Sequence, residues 1–520
     1  EPVNYQGKKD FVISLEVRQN RADCLSTLGI ARELSAYYQT PLLLKSLEGR
    51  KSLQEYPINI QAKQEVKRVM AAKISKVKNS KSPTWLKQYI ELHGMNSVNL
   101  LVDLSNYILF TYGYPSHIFD AGLISQNAPL TWSMNSRYKQ LTTLDSTIID
   151  LKKNKSEIII EDGERVLAIA GIIGGKHAAV SIATTEIIVE AAVYDHNIIR
   201  KNSRALKIIT EASNRLDKHL DPIGLENAFN HLIELIIANG GGKIIGQADY
   251  FPNRTAKKQT ISYDPGLASK LAGIPISNEE SLAILRRLGF GVLNKASHWH
   301  VTVPPYRTDV DMAEDIAEEI IRTIGYDKIP SNVSPKLEHT SIITPKHLLL
   351  ADSFKTILTA SGLDEILSLP LIASGENEQS SFDDSSQIFT ENSINDEFPA
   401  LRQTLFPGLK NQLHEQLKKN LEFLEIFEVG KVFGKHKNGI KEHDALGILI
   451  HNPGQKRDFK YLQNLLEKLL HGNGLTEIKF ENAKKIPMVA NPYSCWNIII
   501  ENQCVGIIFK LKEHKLSGTS

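Results

Sequence analysis

Cysteine is scarce: Cys24, Cys495 and Cys504 are the only three in 520 residues, and none forms a CxxC pair or a zinc-finger spacing. That excludes a disulfide-stapled scaffold and a structural zinc site, suits a reducing compartment, and leaves the three thiols as structural residues. Long apolar runs are also missing. No stretch approaches the about 18 to 20 residues needed to span a bilayer, and the opening EPVNYQGKKD has no signal-peptide core, so no membrane association and a cytoplasmic location are expected. Nor is there a charge excess. Lys plus Arg number 61 against 59 for Asp plus Glu, so any contact with RNA must come from local patches rather than a global positive field. The glycine-rich Ala170-Gly171-Ile172-Ile173-Gly174-Gly175 is neither GxGxxG nor a P-loop, which argues against a nucleotide-phosphate cradle. Glu1 in place of Met suggests a piece of a longer chain, or a processed one.

What is there begins with length: this size allows about three to four domains, each with its own core. The pattern reads as a multidomain α+β protein with segments 1–250, 255–331 and 340–520. The most informative stretch is PPYRTDVDMAEDIAEEIIRTIGYDKIP, residues 304–330. Asp311 followed by Glu314 is a capping-box pattern that starts a helix, and Gly325 ends it. Met312, Ile316, Ile320 and Ile324 recur at helical spacing as a buried stripe, and Asp315, Glu318 and Glu319 share the other face. With Asp309 just upstream, two readings stand: a solvated acidic face paired with Arg322, or four carboxylates converging on one hard cation.

In the first segment, FVISLEV alternates like a strand, and a helix follows from Arg21 with Leu28, Ala31, Leu34, Ala36 and Tyr37 as its apolar face. Gly29 permits close helix packing. Lys45 to Lys81, rich in Lys, Gln and Ser, reads as a loop or amphipathic segment. VNLLVDLSNY, ending at Tyr107, suits a buried strand or helix and carries Ser105 and Asn106; the loop GYPSHIFD carries His117. A lone loop histidine is ordinarily a hydrogen-bonded structural residue. IIIED, VLAIAGIIGG and TTEIIVEAAVY read as strands around the glycine loop, whose bare backbone suits a flat aromatic or a ribose. Glu190 closes an apolar run, either as a surface strand end or as a carboxylate that needs a partner. LENAFNHLIELIIANGGG is an amphipathic helix closed by glycine. In the second segment a helix pair and a small sheet would also suit a winged nucleic-acid binder, but Arg286, Arg287 and Arg307 make no basic face there. The third opens with a helix through FKTILTASG, passes a serine-rich insert, and continues into a long helix and the strand LEIFEVGKVF.

These motifs, in this order, resemble the beta subunit of bacterial phenylalanyl-tRNA synthetase. NRADCLSTLGIARE, VNLLVDLSNY, GYPSHIFD, AGIIGG and IIVEAA resemble the family's B3/B4 editing domain; RTDVDMAEDIAEEIIRTIGYDKIP resembles its B5 domain; LRQTLFPGL and FEVGKVF resemble its class II synthetase-like antiparallel sheet domain. The resemblance implies an editing pocket lined by Ser105, Asn106, His117 and Glu190, with Ala170, Gly171 and Gly174 on the substrate. Glu190 would recognise the tyrosine hydroxyl, and water rather than a covalent intermediate would attack the ester. It implies Mg²⁺, shared with an alpha subunit, at Asp309, Asp315, Glu318 and Glu319, some of them acting through water. Partners would be that alpha subunit, in a tetramer of two alpha and two beta chains, and tRNA(Phe), with ATP used at the alpha site. No arginine follows Arg457, so the late class II GxGxxxR motif is absent and the third segment is expected to be a scaffold. The family's N-terminal OB-like and C-terminal anticodon-binding parts are not among the motifs. One departure stands out: Leu216-Asp217-Lys218-His219 replaces the family's Phe-Glu-Arg-Gly, putting local loop geometry in question. A free-standing Tyr-tRNA hydrolase and a nucleic-acid-binding scaffold without activity are the competing functions.

Overall fold

The computed structural model describes residues 2–43, 54–125, 128–135, 137–151, 157–254, 258–295, 298–331, 344–377, 386–454, 457 and 459–512. The chain divides into two compact units, Glu1–Ser334 and Pro335–Ser520, so the expected first and second segments share one unit.

Two facing sheets organise the first unit. One is antiparallel, in the order Lys243–Tyr250, Val66–Ser75, Glu186–Tyr194, Ser116–Asp120. The other runs Ile173–Gly174, Val166–Ile169, Ile158–Glu161, Leu130–Met134, Ile58–Ile60. Both central strands of the first sheet are buried almost throughout, because each is covered on two faces. Side chains alternate across a strand, so Ile187, Val189 and Ala191 point one way and Ile188, Glu190 and Ala192 the other. Ser116 lies opposite Ala191 and meets Ser105 of the helix Leu100–Tyr112, which places that helix on the first of these faces. Trp132 of the second sheet reaches Tyr194 on the opposite face, which is therefore the inter-sheet face.

Several expectations change. Of the two readings for VNLLVDLSNY the helix holds from Leu100: Asn99 caps Leu100–Tyr112 by accepting from Val102 N, and Asp103, buried, accepts from Ser82, Ser97 and Val98 N. Lys45–Lys81, expected as a loop or amphipathic segment, is strand in part, and its residues 45–53 lie outside those described. It holds Val66–Ser75, and the charge that disguised this strand is absorbed: buried Arg68 donates to Asp249 at 2.9 and 3.0 Å and to Glu226 at 2.9 Å. FVISLEV contributes to a strand only through Phe11, at the end of Lys8–Phe11. In the helix Thr27–Tyr38, Leu34 and Tyr37 are exposed rather than core, whereas Ala36 is buried and Gly29 packs onto the Asp23 carbonyl, where a Cβ would collide.

The remainder of this unit has a sheet ordered Thr260–Tyr263, His298–Thr302, Gly291–Lys295, covered by Asn278–Arg287 and Ala313–Ile324. Ser277 caps the former by accepting from Glu280 N, as its spacing predicts.

The second unit is built on the hairpin Leu424–His436 with Gly439–His451 and the antiparallel sheet Ile478–Asn482, Ala490–Ile500, Gln503–Leu511. Asp364–Glu365 joins Leu424–His436 in parallel, so this unit is mixed rather than purely antiparallel. Helices Lys346–Ala360, Phe406–Lys418 and Phe459–His471 cover the hairpin. Arg402, buried, pairs with buried Glu428 at 2.7 Å. Residues 378–385 of the serine-rich insert lie outside those described.

Candidate functional site

Glu190 and His117 are register partners across Glu186–Tyr194 and Ser116–Asp120, so their side chains leave the same face of the sheet into the inter-sheet layer. Glu190 is 5% exposed. Burial pushes its carboxyl up, and a hydrogen bond from Tyr194 Oη at 3.1 Å only partly opposes that, leaving it near 7. Burial alone pushes His117 down to about 4, so its imidazole is neutral at physiological pH. Its Nε2 is buried without a hydrogen-bond partner among the described residues. A buried ring nitrogen without a partner is the condition that a ligand or water corrects.

The glycine loop closes on this pair. Gly171 turns the chain at φ +69°, and a side chain there would press on Tyr194, Ile199 and Leu216. Gly174 lies against the His117 ring, which leaves no room for a Cβ. Ala170, just before Gly171, is buried. The bare backbone therefore lets His117 and Tyr194 approach; it is packing space as much as ligand space.

The four residues expected to line one pocket divide. Glu190 and His117 come together, but Ser105 lies across the sheet from them, its hydroxyl donating to the Ser116 carbonyl at 3.0 Å and sharing a bond with the Ser116 hydroxyl at 2.8 Å. Its evident task is to anchor the strand that carries His117. Asn106, next on that helix and half-buried, makes no side-chain hydrogen bond among the described residues; the strand Ser116–Asp120 beside it is the outermost of its sheet. Tyr194 and Trp132 are in the cluster and were not singled out from the sequence. The signal was there: Tyr194 is an even number of residues from Glu190 on one strand, an aromatic with a polar tip next to a buried acid.

The Leu216–His219 departure touches the same region. Thr210 caps Glu211–Leu216, Leu216 packs on Gly171, and Lys218 pairs with Asp217 at 3.2 Å. His219, the residue set against glycine in the resemblance, holds φ +62°, a left-handed turn made here without the residue that favours it. Its ring stacks on His196 at 4.7 Å, and its carbonyl accepts from Thr308 at 2.7 Å.

The acids of the Ala313–Ile324 helix do not converge on one point. The helix begins at Ala313 with Met312 as cap, and Asp315, not Glu314, closes it by accepting from Asp311 N at 2.8 Å and Met312 N at 2.9 Å. Met312 is exposed and outside the buried stripe, whereas Glu319 is inside it at 3% exposure. Glu319 is neutralised by Arg307 and Arg322, and Asp309 takes Arg307 at 2.8 and 2.9 Å. Burial would raise the Glu319 carboxyl, but these arginines outweigh it and hold it at about 2. Glu318 is exposed and, among the described residues, without an ion pair. A four-carboxylate cation site thus does not fit: Asp309 and Glu319 are neutralised by arginine, Asp315 is half-buried with one oxygen held by two backbone N–H groups, and Glu318 is the exposed member. Among the described residues the one group of at least three acid, His or Cys ligand atoms within 4.8 Å is Asp23, Cys24 and Glu33. Arg21 already bridges its two carboxylates, and burial pushes the Cys24 thiol to about 12, so it is a poor metal site. A cavity of about 180 Å³ adjoins this group, lined in part by Asp23, His219, Arg32 and Tyr306, with Arg32 stacked on Tyr306 at 4.0 Å.

Known families match along this same order. Residues 65–241 match the B3/4 domain, 261–326 the tRNA synthetase B5 domain, and 329–518 the phenylalanyl tRNA synthetase beta chain CLM domain. The phenylalanine–tRNA ligase beta subunits of Carboxydothermus hydrogenoformans and Clostridium acetobutylicum are each 31% identical, over 519 and 517 residues, covering 96% of this chain. That of Thermotoga maritima is 30% identical over 518 residues and 97% of this chain. The chain spans 64% of the length of these relatives. With three family domains in sequence and relatives alike over nearly its whole length, the chain belongs to the family of phenylalanine–tRNA ligase beta subunits.

Proposed function

We propose that this chain is the beta component of a phenylalanine–tRNA ligase: it supports ATP-dependent charging of tRNA(Phe) by an alpha subunit in an α₂β₂ assembly, and it hydrolyses tyrosine mischarged onto that tRNA. The observation that carries the editing half is the Glu190–His117 pair, a buried carboxyl near its titration point beside a neutral imidazole with a free Nε2. A hydroxyl-reading group of this kind favours tyrosine, because phenylalanine leaves it unpaired and desolvated.

In this reading Glu190 binds the phenol hydroxyl, Gly171, Gly174 and Ala170 shape the floor, and Asn106 reaches the ligand past the outer strand. Water adds its oxygen to the ester carbonyl, the acyl C–O bond breaks, and the proton passes to the departing ribose oxygen. His117, held near 4, is too weak a base to take that proton at neutral pH, so its Nε2 orients the water. The nucleophile is water; among the described residues no Ser/His/Asp or Cys/His set is assembled around the pair. Ser105 holds the strand from behind.

The same proposal places magnesium at Asp315 and Glu318, with ligands from alpha and water completing the shell and Asp309 and Glu319 set behind by their arginines. Bound there, the ion would offset the negative charge of Asp315 and Glu318. The third segment is a scaffold in the manner of class II synthetase domains, with Arg402 engaged by Glu428 rather than offered to a phosphate. Among the described residues no helix is long and apolar enough to cross a membrane. Co-expression with the native alpha chain, followed by sizing, Phe charging and Tyr-tRNA deacylation, tests the whole; a lone chain that deacylates Tyr-tRNA unaided would favour a free-standing hydrolase instead.

A further inference from the structure

We infer that Tyr194 and Trp132 are positioning residues that give Glu190 its direction, tying down one carboxyl oxygen and leaving the other to read a phenolic hydroxyl. This rests on the reading of Glu190 as the recognition residue. The order of donors settles the direction. An indole N–H can only donate, and Trp132 Nε1 donates to Tyr194 Oη at 3.1 Å. The phenol has one proton, and it is aimed at Glu190 Oε1, also at 3.1 Å. Oε1 therefore accepts in either charge state of Glu190, and any proton that Glu190 carries is confined to Oε2.

The relay is held from several sides. Tyr194 follows Glu190 on the same strand, Trp132 comes from the facing sheet, and the Tyr194 ring rests against Gly171. All are buried. The groups that face Glu190 are His117 across one strand pair, Ala71 across the other, and Tyr194. With His117 neutral, none of these adds a positive charge.

A phenol can donate to the ionised Oε2 or accept from the protonated one, and the charge-assisted bond is the stronger. Preference for a hydroxylated ligand should then grow as Glu190 ionises. Tyr194 stabilises the ionised form by donating to it, so its loss should shift that growth to higher pH.

The test uses this chain assembled with its native alpha partner. Rates of deacylation of Tyr-tRNA and Phe-tRNA are measured from pH 5.5 to 9 for the native pair, Tyr194→Phe and Trp132→Phe. The ratio of the two rates cancels any loss of folded protein. Tyr194→Phe is expected to lower the Tyr/Phe ratio about tenfold and raise its pH midpoint; Trp132→Phe should act in the same sense and less. An unchanged ratio and midpoint in Tyr194→Phe, where Glu190→Ala abolishes Tyr preference, overturns the relay alone. Retained Tyr preference in Glu190→Ala overturns the recognition role itself, and the relay with it.

Discussion

Glu190 and His117 face each other across one strand pair, and burial drives their titrations in opposite directions, to about 7 and about 4. Both shifts have one cause: the inter-sheet layer disfavours charge. Each group is thus kept neutral well into the range where it would ordinarily be ionised.

That neutrality has a cost in stability that depends on pH. Between 4.5 and about 7 the folded protein keeps a proton on Glu190 that the unfolded chain releases, so stability falls as pH rises through that window. Glu190→Gln removes the titration while keeping an acceptor for Tyr194. Relative to the native protein it should gain on the order of 3 kcal/mol between pH 4 and pH 8, measured by denaturant unfolding at both. His117 works the other way: its contribution is complete above 6.5 and is lost as pH falls toward 4.

Arg68 ranks its two carboxylate partners by exposure. Asp249 is 21% exposed and Glu226 54% exposed at their side chains. Asp249→Ala should cost about 3 kcal/mol because it removes the two-oxygen partner of a buried guanidinium, leaving Nε unpaired. Glu226→Ala should cost less than about 1 kcal/mol. Thermal unfolding of the two variants gives the order directly.

On the acidic helix, adjacent glutamates should separate structure from metal binding. Glu319→Ala leaves buried Arg307 with Asp309 as its remaining carboxylate and strips Arg322 of one of its two, and should cost about 3 kcal/mol. Glu318→Ala should change unfolding by less than about 0.5 kcal/mol yet weaken the magnesium dependence of alpha association. The native protein should also lose the Glu319 contribution, on the order of 3 kcal/mol, as pH falls from 4.5 through about 2.

At position 219 the backbone decides. With φ +62°, His219→Val should destabilise by roughly 1 to 2 kcal/mol, whereas His219→Gly should stay within about 0.5 kcal/mol of native, relief of strain offsetting the lost stack on His196. Thermal unfolding of both variants checks the difference.

Much of this architecture was legible wherever local pattern and environment agree. The cap at Ser277, the helix Leu225–Gly240 and the strands around the glycine loop follow from spacing alone. Val66–Ser75 was hidden because its arginine is paid for by residues about 160 and 180 positions away, which periodicity cannot see. Glu319 misled for the same reason: an acid at helical spacing reads as solvent-facing until Arg307 and Arg322 are placed beside it. The chemistry of Glu190 and His117 was legible only through resemblance, since neither residue type nor spacing reveals that two strands bring them into register. Ser105 and Asn106, adjacent in sequence to the same motif, fell on a helix across the sheet instead.

The most direct test is hydrolysis of Tyr-tRNA(Phe) by this chain bound to its native alpha partner, with Glu190→Ala and His117→Ala alongside. Rapid deacylation by the native pair, reduced about ten- to a hundredfold in each variant while phenylalanine charging persists, is the predicted result. Equal deacylation by all three would contradict it.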